Sequence, residues 1–239
     1  MRTLVVLPTY NEILNVESML RALRNSVPAA NVLVVDDGSP DGTAKKAIEL
    51  AEELGNVDVL QRSQKSGLGG AYRAGFTWGL ERGFDHFVEI DCDFSHDPAA
   101  LPTLLEAAES YDVVIGSRYV KGGHIPQWTF LRRFISRGGN QYASIMLGLK
   151  VADSTAGYRV YSREALEKIE YATVNANGYG FQIEMTYRAR RAGASIIEVP
   201  ISFTDRELGE SKMSGAIVAE ALVLVTQWAL FRPFGRRPR

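Results

Sequence analysis

The most constraining feature of this sequence is a regular alternation of short apolar segments with longer segments of helical character. Apolar, strand-like runs are found at residues 3–7, 32–35, 57–60, 87–90 and 113–116. Helical periodicity is found between them, at residues 11–24, 44–54, 71–81 and 101–109, with Asn11 as the expected cap of the first helix. Because strands that alternate with helices form βαβ units, the pattern predicts an α/β fold with a mainly parallel, Rossmann-like sheet and helices on both faces.

Bulk composition favours one globular domain and excludes several classes of protein. The chain has 239 residues, of which 46% are hydrophobic and 23% charged, and its formal net charge is -1. That balance gives no reason to expect a nucleic-acid partner. The single cysteine, Cys92, rules out an internal disulfide and a multi-cysteine zinc site and fits a reducing compartment. Residues 3–7 are too short for the apolar core of a signal peptide, so a cytoplasmic location is expected.

Two carboxylates, Asp91 and Asp93, directly follow a strand-like run at residues 86–90. Open α/β sheets bind their ligands at the carboxyl ends of their strands, which is where this pair is expected. Carboxylates are hard oxygen donors that suit Mg²⁺ or Mn²⁺ and often share the ion with substrate phosphates. A plain polar turn is the alternative, in which Asp93 or Ser95 only caps a helix opened by Pro98.

Polar clusters also follow the other strand-like runs, at residues 8–12, 36–43 and 117–119. The carboxyl ends of parallel strands meet at one edge, so these clusters and the Asp91/Asp93 pair are expected to converge on one crevice. For Asp36 and Asp37 the alternative is turn chemistry, since Asp-Gly is a strong turn former. Asp41 has the alternative of a helix cap.

The chain carries a set of motifs at these and later positions. They are PTYNE at 8–12, DDGS at 36–39, DCDFSH at 91–96, GSRY at 116–119, DSTAGYR at 153–159, GYGFQIE at 178–184, and Arg206 followed by GESKMS at 209–214. Together they resemble the family 2 glycosyltransferases of GT-A fold, and most closely the polyprenyl- or dolichyl-phosphate mannose synthases. The likeness runs from residue 3 to about residue 215, which would make residues 1–215 the GT-A domain.

The resemblance implies a nucleotide-sugar donor site, with GDP-mannose as the expected donor. The residues expected to bind the donor are Pro8, Tyr10, Glu12, Asp36, Asp37, Asp91, Cys92, Asp93, Arg206 and Lys212. Cys92 would contribute only its backbone, and Arg206 and Lys212 would lie on a loop that closes over the diphosphate. Asp91 and Asp93 would hold Mg²⁺ or Mn²⁺, and Ser95 stands where some relatives supply a glutamine to the metal.

The resemblance also implies a polyprenyl monophosphate as the acceptor. Arg118, one of Arg132 and Arg133, and Ser136 would bind its phosphate, for which the arginine fork is well suited. A phosphate is already an anionic nucleophile, so positioning and charge neutralisation suffice without a general base. Direct in-line attack would invert the anomeric centre.

Several further residues leave alternatives open at this stage. Asp153 could orient the sugar or a loop, or cap a turn; Gln182 and Glu184 fit either a sugar pocket or helix packing. The glycine-rich run at 65–72 lacks the Gly-x-Gly-x-x-Gly spacing and is expected to form a helix entry, with Lys65 near the donor. His96 shows no partner for a zinc site and is expected to be structural.

The last segment, residues 216–239, is interpreted as a membrane-interface helix with a basic tail. Residues 216–231 are mostly apolar but fewer than the ~20 needed to span a bilayer. A core helix is the alternative to an interfacial helix on the cytoplasmic face of a membrane. A separate protein could serve as the membrane anchor, although no residue points to one.

Three other functions compete with this interpretation. UDP-glucose in place of GDP-mannose would keep the mechanism. A haloacid-dehalogenase-like phosphatase would use residues 91–95 as its nucleophile loop, but that loop normally follows the first strand of its fold. A non-catalytic nucleotide-sugar-binding module would bind donor without turnover.

Overall fold

The fold is described here from a computed structural model of the chain. It describes residues 1–64, 67–206, 208 and 215–231, the last range with its side chains at 220–230. The strands are β1 (Thr3–Thr9), β2 (Asn31–Asp36), β3 (Val57–Gln61), β4 (His86–Glu89), β5 (Val113–Ser117), β6 (Arg159–Ser162) and β7 (Ile196–Pro200). The helices are α1 (Val16–Ser26), α2 (Thr43–Leu54), α3 (Gly67–Glu81), α4 (Leu101–Ala108), α5 (Phe130–Leu147), α6 (Arg163–Ile169), α7 (Gly178–Arg191) and α8 (Gly215–Phe231).

Within the described residues these strands form one sheet in the order β3-β2-β1-β4-β6-β5-β7. All neighbouring pairs are parallel except those of β6, which runs antiparallel to both β4 and β5. The predicted mainly parallel α/β fold is therefore confirmed. The reversed β6 divides the sheet into a four-strand half, β3-β2-β1-β4, and a two-strand half, β5-β7.

The sheet is buried on both faces, which explains why its strands read as continuous apolar runs. In β1, Leu4 and Val6 pack on one face with α3, while Val5 and Leu7 pack on the other with α1. All four side chains are fully buried. This double coverage fixes the strands rigidly and leaves only their ends free to present polar groups.

Helix α3 lies unusually close to the sheet because glycines face it. A methyl group added at Gly75 would come within 2.4 Å of Val6, and one at Gly79 within 2.5 Å of Leu4. The helix begins at Gly67, so the prediction that the glycine-rich run forms a helix entry is confirmed. Lys65 lies outside the described residues.

The start of α1 differs from the prediction. The helix begins at Val16 rather than near Asn11, and Asn11 adopts a left-handed backbone with φ of +57°. The backbone amides of residues 11–13 bond instead to side chains of the β2–α2 loop: Asn11 to Ser39, Glu12 to Thr43 and Ile13 to Asp41. The Asn11 cap is therefore wrong, because contacts with a distant loop hold this segment out of the helix.

Helix α8 packs one side against α5 and α7. Its Ala221, Val225 and Trp228 are buried, with the Trp228 ring stacked on Tyr187, while an opposite side exposes apolar side chains such as Val223. No helix among the described residues has the length and apolar character required to cross a membrane. The basic residues of the tail, 232–239, lie outside the described part of the chain.

Candidate active site

The candidate site lies at the carboxyl ends of β1, β2 and β4, where the sequence predicted convergence. Asp91 and Asp93 follow β4, and Glu12 follows β1. One cation joins two of these clusters: Arg206 donates through Nη2 to Glu12 Oε1 at 3.0 Å and to Asp93 Oδ2 at 3.0 Å. Its Nε also donates to Asp93 at 3.1 Å. Residues far apart in sequence are thus brought together in one acidic crevice.

The two aspartates of the pair have different electrostatic environments. Burial and then the neighbouring Asp93 charge raise the pKa of Asp91, to which Tyr72 donates a long bond of 3.5 Å. Burial opposes ionisation of Asp93 as well, but the Ser95 amide and the charge of Arg206 lower its pKa overall. The crevice therefore favours a positive charge between its carboxylates.

The donor set of this crevice fits a divalent cation. Two adjacent carboxylates stabilised by the guanidinium of Arg206 offer hard oxygen ligands, and phosphate oxygens of a substrate would complete the coordination of Mg²⁺ or Mn²⁺. Among the described residues, no group of three or more histidine, cysteine or acidic side chains is arranged to hold a metal.

A tight turn with Phe94 at φ of +59° shapes the loop after Asp93. The Ser95 amide donates to Asp93 Oδ1 at 3.0 Å, and a hydrogen bond from the Ser95 side chain also helps to lower the pKa of Asp93. Asp97, rather than Asp93 or Ser95, caps the following turn by accepting from the Ala99 amide at 2.9 Å. The capping alternative is thereby wrong for Asp93 and Ser95, while the role of Ser95 as a metal ligand stays a prediction.

The cluster after β2 serves the turn itself. Asp36 accepts bonds from Thr9 Oγ1 and from Ser39, and also from the Gly38 amide. Asp37 is buried and pairs with Arg62 at 2.8 Å. The turn-forming alternative thus holds for Asp36, and contact of either aspartate with a nucleoside stays a prediction, as it does for Pro8, Tyr10 and Cys92.

Arg118 and Asp153 form a buried, bidentate ion pair. Arg118 Nε and Nη2 donate to the two carboxylate oxygens at 2.7 and 2.6 Å, and the Arg118 amide donates to Oδ2 at 3.0 Å. The Arg118 side chain is only 4% exposed. Although burial alone would raise the pKa of Asp153, the guanidinium of Arg118 lowers it. Asp153 therefore fixes Arg118, and a contact of Asp153 with the sugar stays a prediction.

The other predicted acceptor-side residues lie on α5. Arg132 donates to Asp205 at 2.8 Å and stacks 4.0 Å from the Trp128 ring centroid, whereas the side chain of Arg133 donates a long bond of 3.4 Å to the Pro126 carbonyl. Ser136 accepts from Tyr119 Oη at 2.7 Å. Of the two arginines, Arg132 is therefore the one that contacts the loop carrying Arg206.

One group at the site, Asp205, was not found from the sequence. Asp205 accepts from Trp128 Nε1 at 2.8 Å as well as from Arg132, a contact across 77 residues that no local pattern announces. Gln182 donates to the buried Glu89 at 2.8 Å, which favours its packing alternative. Lys212 lies outside the described residues.

Known proteins with similar sequences are glycosyltransferases. The family described as glycosyl transferase family 2 matches residues 4–170. An undecaprenyl-phosphate mannosyltransferase from Micrococcus luteus is 55% identical over 96% of this chain and 95% of its own length. A polyprenol monophosphomannose synthase from Mycolicibacterium smegmatis is 49% identical over 96% and 87%. A dolichol-phosphate mannosyltransferase from Pyrococcus furiosus is 37% identical over 93% and 62%.

Solved structures share the fold at low sequence identity. A mannosyltransferase from Pyrobaculum calidifontis in complex with GDP-Man and Mn²⁺ has a TM-score of 0.59 at 19% identity, covering 99% of this chain and 76% of that one. S. aureus TarS in complex with UDP has a TM-score of 0.61 at 17% identity, covering 97% and 66%. The family match across most of the chain, together with relatives 55% and 49% identical over nearly all of it, shows that the chain belongs to glycosyl transferase family 2 and is a glycosyltransferase of GT-A fold.

Proposed function

We propose that this enzyme transfers mannose from GDP-mannose to a polyprenyl monophosphate, with inversion at the anomeric carbon. The observation that carries the proposal is that one short loop, which contains Asp205 and Arg206, contacts both an acidic crevice and an arginine of helix α5. Asp93 and Glu12 lie on one side of that loop, and Arg132 lies on the other. The names of the three relatives supply the sugar and the class of acceptor.

On the donor side, the acidic crevice would receive the diphosphate. Asp91 and Asp93 would hold Mg²⁺ or Mn²⁺, which as a Lewis acid would offset the charge that develops on the leaving GDP. Arg206 lies against Asp93, and its guanidinium would pair with the diphosphate when the donor binds. Pro8, Tyr10 and Asp37 would border the guanosine.

On the acceptor side, Arg132 and Ser136 would bind the lipid phosphate. Arg118 has both arms of its fork on Asp153 and would act by its positive field at short range, with Tyr119 linking it to Ser136. The phosphate oxygen would attack the anomeric carbon opposite the leaving diphosphate. No proton needs to be removed, because the phosphate is ionised at neutral pH.

The lipid acceptor requires access to a membrane, and α5 and α8 offer an apolar surface for it. Phe130 and Phe134 of α5 stack on each other and are 83% and 68% exposed. Arg133 and Arg137 are interleaved with them, which suits an anionic lipid surface. We infer peripheral binding at the cytoplasmic face of a membrane, with α8 beside α5; a separate membrane-anchor protein stays a prediction.

A radiolabelled transfer assay tests the proposed function. Labelled GDP-mannose or UDP-glucose is incubated with a polyprenyl phosphate, in Mg²⁺, in Mn²⁺ or in EDTA, and label in the organic phase is counted. Mannose transfer that depends on metal and falls about 100-fold or more in Asp93→Asn is expected, since metal stabilisation is worth several kcal/mol. Asp97→Asn is the matched control, because an asparagine in the same turn caps equally well.

Other outcomes of this assay would contradict the proposal in distinct ways. Transfer of label from UDP-glucose but not from GDP-mannose would show that UDP-glucose is the donor. Phosphate release from simple esters without lipid labelling would favour a phosphatase, and GDP-mannose binding without turnover would favour a binding module. Equal activity of Asp93→Asn and Asp97→Asn would remove the metal assignment.

A further inference from the structure

A four-residue segment, Phe203 to Arg206, lies between the donor and acceptor sides of the crevice; we call residues 203–206 the strap. Two backbone-to-backbone hydrogen bonds hold it. The Phe203 amide donates to the His124 carbonyl at 2.9 Å, and the Thr204 amide donates to the Ser95 carbonyl at 3.2 Å. The strap therefore touches the loop after the aspartate pair on one side and the segment before α5 on the other.

Asp205 directs its side chain to the acceptor side. One carboxylate oxygen accepts from Trp128 Nε1 at 2.8 Å and the other accepts from Arg132 at 2.8 Å. The Asp205 amide donates to Gln127 at 2.6 Å. A carboxylate with an arginine on one oxygen and an indole N–H on the other has the donors that a phosphate group would use.

Arg206 directs its side chain to the donor side. Its guanidinium contacts Glu12 and Asp93, each at 3.0 Å. A diphosphate with its cation would compete with both contacts, because it brings positive charge to the carboxylates and negative charge to the guanidinium. Donor binding thus draws Arg206 away from Asp93.

Asp205 and Arg206 are neighbours, so the backbone connects the two sides. Consecutive Cα atoms are 3.8 Å apart, and a displacement of the Arg206 backbone therefore also moves Asp205. Among the described contacts of the strap, the ion pair of Asp205 with Arg132 is expected to break most easily. Its two side chains are 38% and 53% exposed, so water can replace the contact.

We propose that Asp205 is a positioning residue that occupies Arg132 in place of the lipid phosphate until the donor binds. This inference rests on the proposed function, since it takes Arg132 as an acceptor-phosphate ligand. Donor binding shifts Arg206, the strap moves, and Arg132 is released for the acceptor. The two substrates then bind with positive coupling, and by linkage each raises the affinity for the other by the same factor.

The test measures binding of farnesyl phosphate, a short polyprenyl monophosphate, to the full chain by titration calorimetry. Each protein is titrated with and without saturating GDP and Mn²⁺. The wild type is expected to bind farnesyl phosphate about fivefold more tightly when GDP and Mn²⁺ are present. Asp205→Asn keeps an oxygen acceptor for Trp128 and removes the carboxylate charge that holds Arg132. The variant is therefore expected to bind farnesyl phosphate tightly in both conditions.

Two further variants keep the result interpretable. Glu53→Gln removes an exposed carboxylate paired with Arg21 far from the strap, and it should retain the wild-type ratio. Arg206→Gln leaves the Asp205 contact intact but removes the link to the donor side, so GDP should no longer change the affinity for farnesyl phosphate. In steady-state assays Asp205→Asn should lower KM for the lipid without raising kcat, a split that a purely structural role would not produce.

The outcomes separate the inference from the function on which it rests. An unchanged ratio in Asp205→Asn, with normal binding by the wild type, would overturn the role of Asp205 alone. Weaker binding by Asp205→Asn in both conditions would do the same. No farnesyl phosphate binding by the wild type, even with GDP and Mn²⁺, would overturn the proposed acceptor and this inference together.

Discussion

At the scale of single residues, the Arg118–Asp153 pair combines structural and electrostatic roles. Three bonds to one carboxylate hold the arginine, and the aromatic rings of Tyr119 and Phe203 lie 5.3 Å from its Cζ. A guanidinium held this way loses little conformational freedom when a ligand arrives, and its contact with an acceptor phosphate stays a prediction. The pair also makes the fold sensitive to loss of either member.

Arg118→Ala is therefore expected to lower the free energy of unfolding by about 3–5 kcal/mol, because it leaves Asp153 buried without its counter-charge. Urea denaturation at neutral pH measures the change. Arg21→Ala, which removes an exposed arginine paired with Glu17 and Glu53, is the control and should cost much less, because water screens an exposed pair. Similar stability of the two variants would show that the charge of Asp153 does not depend on Arg118.

The sequence predicted the chemistry of individual site residues better than their partners. Asp91, Asp93 and Arg206 were assigned to one crevice, and they lie in it. The role of Asp205 was not predictable, because its two contacts depend on how β7 brings a distant loop against α5. Local motifs report which groups a site contains, whereas tertiary packing decides which of them are paired before a ligand binds.

At the scale of elements, α5 is the helix with the most unusual surface. It buries Asn140, Ala143 and Leu147 toward the core, yet its first half exposes Phe130 and Phe134. Exposed apolar groups on a helix that also carries the proposed acceptor residues point toward an interface with lipid. The same helix would thus bind the membrane and its phosphate-bearing substrate.

The double substitution Phe130→Ser with Phe134→Ser is expected to weaken binding to anionic vesicles by about tenfold or more, since two large apolar side chains are lost from the interface. Vesicle sedimentation with the full chain measures the change, and transfer to soluble farnesyl phosphate should be far less affected. Ile48→Ser removes an exposed apolar side chain from α2 and serves as the control. Unchanged sedimentation of the double variant would place the membrane contact elsewhere on the molecule.

Elements were predicted well where local periodicity and long-range packing agree. The first five strands were found from apolar runs, whereas β6 and β7 follow a stretch of motifs and were not assigned. The reversal of β6 has no local signal, because a strand reads the same in either direction. α1 began later than expected because amides at 11–13 are satisfied by the β2–α2 loop rather than by the helix.

At the scale of the whole molecule, two buried groups, His96 and Glu89, change the stability of the fold in opposite directions as the pH falls. Burial lowers the pKa of His96 to about 4, and its ring lies edge-on to Tyr158 and Phe203. Burial raises the pKa of Glu89 to about 7. Between pH 7 and pH 4 protons therefore favour the folded state at Glu89 and the unfolded state at His96.

His96→Phe isolates one side of this balance. Because the folded-state pKa of His96 lies below its unfolded value of about 6.5, its neutral form supports folding above that pH, and the support is lost as the pH falls toward 4. Relative to the wild type, the variant should gain about 2 kcal/mol of unfolding free energy between pH 7 and pH 5. Urea denaturation across this range measures it; His124→Gln, at an exposed site, should track the wild type. Parallel curves for wild type and His96→Phe would mean that folding does not change the pKa of His96.

The reversed strand β6 has a consequence for how such an enzyme could diversify. It joins the four-strand half of the sheet, which carries the proposed donor site, to the two-strand half, which continues into the helix with the proposed acceptor residues. In sequence the chain passes from one half to the other once through α4, before the acceptor residues begin. Recombination within α4 would therefore exchange the proposed acceptor residues and keep Glu12, Asp91 and Asp93, and the incoming half would have to supply an arginine equivalent to Arg206 against these carboxylates.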